Sequence, residues 1–345
     1  MAHITTKDGI KLHYDEYGSG DRVIISAQVG FCPEGMQQLL AEMGYHVYCL
    51  TLRGFHPSSY VDEDYGDRWY DIFAEDVVFL ADSLGIGKFA YMGASHGAGV
   101  GWHLVLDFPE RVSAFIAVVP GPHSLAEGAM SYRQMLMQGI IDAPPPFDPP
   151  IEDDPEREVR RRRREEWLSR LPEPDIREKN VDYGRPLMKC GSEEALRERL
   201  SSIKTPTLIL GGIDDPISTP ELMLRAAKCL PDCKLVIYSD CGHNIDTDLT
   251  EELCGETDRF LANALTRSKC YDRVYAAHTI TDLEEPDHGC EGFLPGEEPM
   301  VTLTLDDGRR IKVPDRLAYE KNWDVGREIS GRDIMVYERK GVQGV

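Results

Sequence analysis

Three residues of this 345-residue chain, Ser95, Asp215 and His243, have types and surroundings suited to nucleophilic chemistry. Ser95 stands in Gly93-Ala94-Ser95-His96-Gly97, a G-x-S-x-G spacing that follows the apolar run 88–92 and opens the helix-like stretch 98–108. A serine on a sharp strand-to-helix turn projects its hydroxyl from the sheet, and glycine neighbours let strand and helix pass closely. The bland reading of the same spacing is a glycine-rich turn; the flanking strand and helix patterns favour the chemical one. A serine hydroxyl is a weak nucleophile until a base takes its proton, so a histidine and an orienting carboxylate are required elsewhere.

Both follow in chain order. The β-branched run within 205–218 breaks into Gly211-Gly212-Ile213-Asp214-Asp215-Pro216, where a strand should end. After a helical pattern at 219–230, a second apolar run at 234–238 ends in Ser239-Asp240-Cys241-Gly242-His243. Parallel strands alternating with helices gather their carboxyl ends along one sheet edge, which is where open α/β sheets place ligands. Ser95, Asp215 and His243 are expected to meet there.

These motifs, in this order, resemble the α/β-hydrolase superfamily from the N-terminus to about residue 265. Gly93-x-Ser95-x-Gly97 is similar to its nucleophile elbow, 206–217 to the strand and turn bearing its acid, and Asp240-Cys241-Gly242-His243 to the segment carrying its base. The alignment sets the acid three residues after Gly212, choosing Asp215 over Asp214. Residues 21–33 resemble the strand and loop that supply half of an oxyanion hole, and 51–58 the Arg-Gly loop after the next strand. Where family members read His-Gly, this chain reads Val29-Gly30-Phe31. A histidine side chain is therefore missing from that loop, but the main-chain donor remains. The resemblance implies an oxyanion hole made by the N–H groups of Phe31 and His96, since a tetrahedral oxyanion needs two preorganised donors.

What the resemblance implies is an α/β fold: a mostly parallel, doubly wound sheet with a helical cap insertion, followed here by a small β-rich C-terminal appendage. The expected division is 1–121 and 205–267 for the core, 122–204 for the cap and 268–345 for the appendage. The expected enzyme is a hydrolase that cleaves a carboxylic ester, lactone or thioester through an acyl-serine, with no cofactor and no metal. C–C bond hydrolysis, cofactor-free dioxygenase or lyase chemistry and a non-catalytic receptor share the fold and stay open as alternatives.

Composition bounds the partners. With 41% hydrophobic residues the chain can bury a large core, and its net charge of −22 opposes binding to nucleic acid or anionic membranes. No apolar run reaches membrane-spanning length and the first residues do not read as a secretory signal, so a cytoplasmic location is expected. Nine scattered cysteines then read as free thiols. Cys229, Cys233, Cys241 and His243 superficially suit zinc, but Cys233 and Cys241 would lie about 20 Å apart along an intervening strand. The basic run 160–164 reads as a solvated helix with Glu156–Arg160, Glu158–Arg162 and Arg162–Glu166 pairs, rather than as a recruiter of acidic substrates.

The segment 122–204 has methionines, prolines at 144–150 and helical patterns but no strand pattern. Met130, Tyr132 and Met135 suit an adaptable apolar roof over the pocket and equally suit one face of an amphipathic helix. Gly30, Cys32, His56 and His123 fall in loops expected to border the substrate, which should carry an apolar or aromatic portion. Beyond about residue 265, the alternation at 301–314 around Asp307-Gly308 predicts a hairpin, with further strands at 274–280 and 333–338. Three roles stay open for this appendage: homo-oligomer formation, covering the core or overhanging the pocket.

Overall fold

A computed structural model describes residues 2–285 and 298–337, except positions 131, 144, 174, 176, 179–184, 276, 332, 335 and 336. The chain divides into two compact units, Met1–Leu261 and Ala262–Val345.

The first unit is built on an eight-stranded sheet: β1 (Ala2–Thr5), β2 (Lys11–Tyr17), β3 (Arg22–Gln28), β4 (Tyr45–Thr51), β5 (Phe89–Ala94), β6 (Val112–Val118), β7 (Thr207–Gly212) and β8 (Cys233–Tyr238). Their spatial order is β1-β2-β4-β3-β5-β6-β7-β8. The pairs from β4 to β8 are parallel, whereas β1 and β2 add an antiparallel edge. The central strands are apolar at nearly every position because helices cover both faces. Phe89, Tyr91, Phe115, Ile116, Ile209 and Leu210 are all essentially inaccessible, and a fully buried side chain of this size contributes about 1.5–3 kcal/mol.

The helices of this unit are α1 (Met36–Glu42), α2 (Trp69–Ser83) and α3 (His96–Asp107), then α7 (Pro220–Cys229), α8 (Ile245–Asp248) and the start of α9 (Thr250–Tyr275), which runs on into the second unit. Between β6 and β7 lie α4 (Tyr132–Met137), α5 (Pro155–Arg170) and α6 (Glu193–Ser201), with no strand among the described residues of that stretch. Helix α5 starts at a proline, and the Asp154 side chain caps it by accepting the Arg157 N–H. No helix among the described residues is long and apolar enough to cross a membrane.

The second unit holds a four-stranded antiparallel sheet of β9 (Ala277–Glu284), β10 (Met300–Leu305), β11 (Arg310–Pro314) and β12 (Glu328–Ser330), in the order β11-β10-β9-β12. Helix α10 (Asp315–Lys321) follows the hairpin, and Ile280, Leu303, Val313, Trp323 and Ile329 form a separate core.

Two appendage expectations are corrected. Residues 274 and 275 belong to α9, which runs ten residues past the expected end, so β9 begins only at Ala277. No stop signal stands near 265: neither glycine nor proline occurs between 256 and 285. At 333–338 the described residues Asp333, Ile334 and Tyr337 are helical, and the fourth strand is instead Glu328–Ser330.

Candidate active site

The site is assembled where β5, β7 and β8 end. Ser95 follows β5 directly and holds φ 50°, ψ −108°, a conformation that costs a non-glycine residue about 1–3 kcal/mol. Hydrogen bonds on both sides enforce it: Ser95 N–H donates to the Val118 carbonyl at 2.9 Å, and the Ser95 carbonyl accepts from Gly99 N–H at 3.0 Å. A Cβ on Gly93 would lie 2.2 Å from the Gly97 carbonyl carbon, and one on Gly97 would lie 2.4 Å from the Ala27 carbonyl oxygen. The two glycines are thus dictated by close backbone passage. Behind them the buried Tyr91 hydroxyl donates to the Gly97 carbonyl at 2.8 Å.

The Ser95 Oγ lies 3.0 Å from His243 Nε2, and His243 Nδ1 lies 2.9 Å and 3.1 Å from the two Asp215 carboxylate oxygens. Asp215 and His243 side chains are 0% and 10% exposed, so the relay is shielded from water on the acid side. Asp215 Oδ1 also accepts the N–H groups of Ile217 at 2.7 Å and Ser218 at 2.9 Å. These bonds fix the carboxylate's rotation and compensate its burial. Asp214, one residue earlier, has an exposed side chain and takes no part in this relay. Ser218 adds a brace, donating its hydroxyl to the Val119 carbonyl at 2.6 Å and accepting Gly121 N–H at 2.9 Å.

The other predicted residues are placed as follows. His96 is the first residue of α3, its Nδ1 3.2 Å from the Tyr70 hydroxyl. Phe31 lies in the loop after β3, the strand beside β5. Next to it, Gly30 is close enough to α5 that a Cβ there would sit 3.8 Å from the Trp167 ring. Cys32 is half-buried and burial pushes its thiol up; Cys241 is buried and its thiol rises to about 11 for the same reason. Cys233 is the first residue of β8 and Cys241 lies three residues beyond its far end. His56 is exposed at its loop, where its N–H meets Glu178. Met130 is 37% exposed; Tyr132 and Met135 are half-buried on the short helix α4.

His123 does come near the relay. Burial, together with the positive charges of Arg185, His243 and Arg225, pushes its imidazole down to about 4, against an opposing pull from Asp215. It is therefore neutral at pH 7. The unfolded chain takes up this proton near pH 6.5 whereas the folded one does not, so the contribution is intact above that pH and is lost as pH falls toward 4. Denaturant titrations of wild type and His123→Asn should diverge by about 2 kcal/mol between about pH 6.5 and pH 5, with the wild type showing the steeper loss.

The arginine run sits on a helix with the expected exposed face, but corrects the expected pairing. Of the three predicted pairs only Glu158–Arg162 forms, at 2.8 Å. Arg160 reaches Glu251 at 2.9 Å, Arg161 reaches Asp248 at 2.5 Å and Arg163 reaches Glu34 at 2.6 Å. The less exposed residues 157, 160, 161, 164 and 167 form one stripe at helical spacing. The i,i+4 rule assigned these arginines to their own helix; Arg160 and Arg161 are instead drawn, largely covered, toward other elements, whereas Arg163 meets Glu34 on an exposed surface.

Sequence reasoning also missed Phe147 and Asp148. The Phe147 carbonyl accepts His243 N–H at 2.8 Å and its ring stands edge-on to the imidazole, 6.1 Å between centroids. Asp148 accepts Asn244 N–H at 2.9 Å and also its side-chain amide. The sole signal was the proline cluster around them, which marks a stiff segment without saying what it touches.

A serine, imidazole and carboxylate in this geometry on a parallel α/β sheet define a class, and comparison agrees. A family model for the alpha/beta hydrolase fold matches residues 26–245, and the chain belongs to that family as an enzyme hydrolytic in kind. It is 27% identical over 266 residues to the 2-hydroxy-6-oxo-6-phenylhexa-2,4-dienoate hydrolase of Comamonas testosteroni, covering 70% of this chain and 89% of that one. It is 28% identical over 226 residues to 3-oxoadipate enol-lactonase 2 of Acinetobacter baylyi, covering 62% and 79%. Among solved structures it resembles a meta-cleavage product hydrolase from Pseudomonas fluorescens, with a TM-score of 0.58 at 18% identity over 76% of this chain and 98% of the other.

Proposed function

We propose that the protein is a serine hydrolase that cleaves an ester-type bond, a carboxylic ester, lactone or thioester, in a small molecule with an apolar or aromatic portion. The observation that carries this reading is the continuous hydrogen-bonded relay from Asp215 through His243 to Ser95. As the Ser95 oxygen bonds to the carbonyl carbon, its proton passes to His243 Nε2, and Asp215 stabilises the resulting imidazolium. The Phe31 and His96 amides receive the oxyanion. Collapse expels the alcohol or thiol, which takes the proton back from His243; water, activated by the same imidazole, then releases the acid. No cofactor is called for.

In this reading residues 122–204 act as the cap, and Met130, Tyr132, Met135 and Trp167 supply apolar surface. A second reading is C–C bond hydrolysis of a vinylogous diketone, supported by the name of the Comamonas relative. The test is a fluorophosphonate probe together with a panel of p-nitrophenyl esters, lactones and vinylogous diketones, with dissolved oxygen recorded. Labelling and ester or lactone turnover without oxygen uptake is expected. Turnover of diketones alone would favour the second reading; no label, or oxygen consumption, would overturn both. Because burial holds Cys32 and Cys241 as thiols at neutral pH, neither should take the label.

A further inference from the structure

Helix α5 reaches the base by two routes. The Asp248 carboxylate, whose side chain is 0% exposed, accepts from Arg157 Nη2 at 2.9 Å on Oδ2. Arg161 grips both of its oxygens, Nε to Oδ1 at 2.7 Å and Nη2 to Oδ2 at 2.5 Å. The same Arg157 nitrogen donates to the Asp240 carbonyl at 2.7 Å. Asp240 and Asp248 bracket the turn that carries His243, so one guanidinium spans both its ends. Arg161 has a third contact, Nη1 to the Pro149 carbonyl at 2.9 Å. Pro149 stands two residues after Phe147, whose carbonyl holds the His243 N–H.

The turn needs such support. Asp240 lies at φ 56°, in the left-handed region that L-residues avoid. A Cβ on Gly242 would come within 2.0 Å of the Phe147 carbonyl oxygen, so the insertion is pressed directly onto the backbone beside the imidazole. A buried carboxylate is tolerated only when its oxygens are satisfied, and here two arginines of one helix do so.

From this arrangement we propose that Arg157 and Arg161, acting through Asp248, are positioning residues that hold the His243 imidazole in line with Ser95. The proposal rests on the serine-hydrolase reading and adds to it a function for the arginine run: the segment over the pocket also sets the base. Proton transfer depends steeply on distance, and a displacement of about 1 Å can slow a reaction about 100-fold. Loss of the grip should therefore appear in the acylation step rather than in substrate affinity.

The test compares the full-length wild type with Arg157→Met, Arg161→Met, Arg161→Lys and Asp248→Asn. Each is assayed for fluorophosphonate labelling rate, for kcat and KM on p-nitrophenyl acetate, and for thermal midpoint, at a temperature where all are folded. Arg161→Met should slow labelling and kcat by about 10- to 100-fold with KM changed less than about twofold. Arg161→Lys should recover part of the loss, since lysine keeps the charge but not the two-point fork. Arg162→Met, whose partner Glu158 lies on the same helix, should leave the kinetics at wild type. Folded Met variants that label at the wild-type rate, whatever their thermal midpoints, would overturn the proposal and leave the cluster purely structural. If the Met variants do not fold, Arg161→Lys and Asp248→Asn carry the same comparison. A wild type that takes no label would overturn the serine mechanism itself, and the positioning role with it.

Discussion

Ser95→Ala should abolish fluorophosphonate labelling and lower kcat/KM on the best ester of the panel by about 10⁴-fold or more, leaving only the catalysis that oxyanion donors and substrate binding provide. The protein should still fold, because Val118, Gly99 and Tyr91 hold the turn through backbone groups that the substitution does not touch. Ser95→Gly sharpens the point. The residue at position 95 has φ 50°, which glycine adopts without strain, so the glycine variant should be as inactive as the alanine one yet more stable than wild type by about 1 kcal/mol. Activity assays beside denaturant midpoints would check both. A Ser95→Ala enzyme retaining a tenth of its turnover would show that the hydroxyl is not the attacking group.

Asp215→Asn should cost nearly as much, about 10⁴-fold in kcat, with little change in fold. The reason lies in which oxygen is already committed. Oδ1 accepts two backbone N–H groups, from Ile217 and Ser218, so an asparagine must keep its carbonyl oxygen on that side. Its NH2 group then occupies the place of Oδ2, the oxygen nearer to His243 Nδ1 at 2.9 Å. An amide donor there forces Nδ1 to accept, puts the ring proton on Nε2, and aims a proton at Ser95 where a lone pair is needed. Asp214→Asn, at the exposed neighbouring position, should behave like wild type. The pair separates the acid's chemistry from the turn's conformation, and steady-state kinetics on one ester suffices to tell them apart.

The parts of this molecule that could be read from sequence are those where one element carries its own signal. Gly93 and Gly97 announce the elbow because close backbone passage admits nothing larger, and the apolar runs ending at Gly212 and Tyr238 place the acid and the base just beyond the same sheet edge. The Asp214/Asp215 choice depended on register, which the turn hydrogen bonds decide. Helix α5 was legible as a helix through its charge pattern, but not in its partners. Arg161 meets Asp248 across 87 positions, and any local pairing rule offers Arg160 a nearer glutamate. Phe147 was hidden for a different reason: what it gives His243 is a main-chain carbonyl, which every residue has. The long helix Thr250–Tyr275 and the displaced strand after it show the same limit, since no residue in the sequence marks the boundary.

Ser218 has a bearing on how such an enzyme can change. Its hydroxyl fastens the chain at Val119 and Gly121 to the acid turn, at the point where the long segment between β6 and β7 departs. The root of that segment is therefore anchored to the machinery, and its middle is anchored again at Phe147 and along α5. Between these fixed points, the stretch around Met130 to Met135 is the part of the segment whose exchange should least disturb Asp215 and His243. In the proposed reading, where Met130 and Met135 line the substrate, exchanges there should alter substrate preference while the reaction itself is kept.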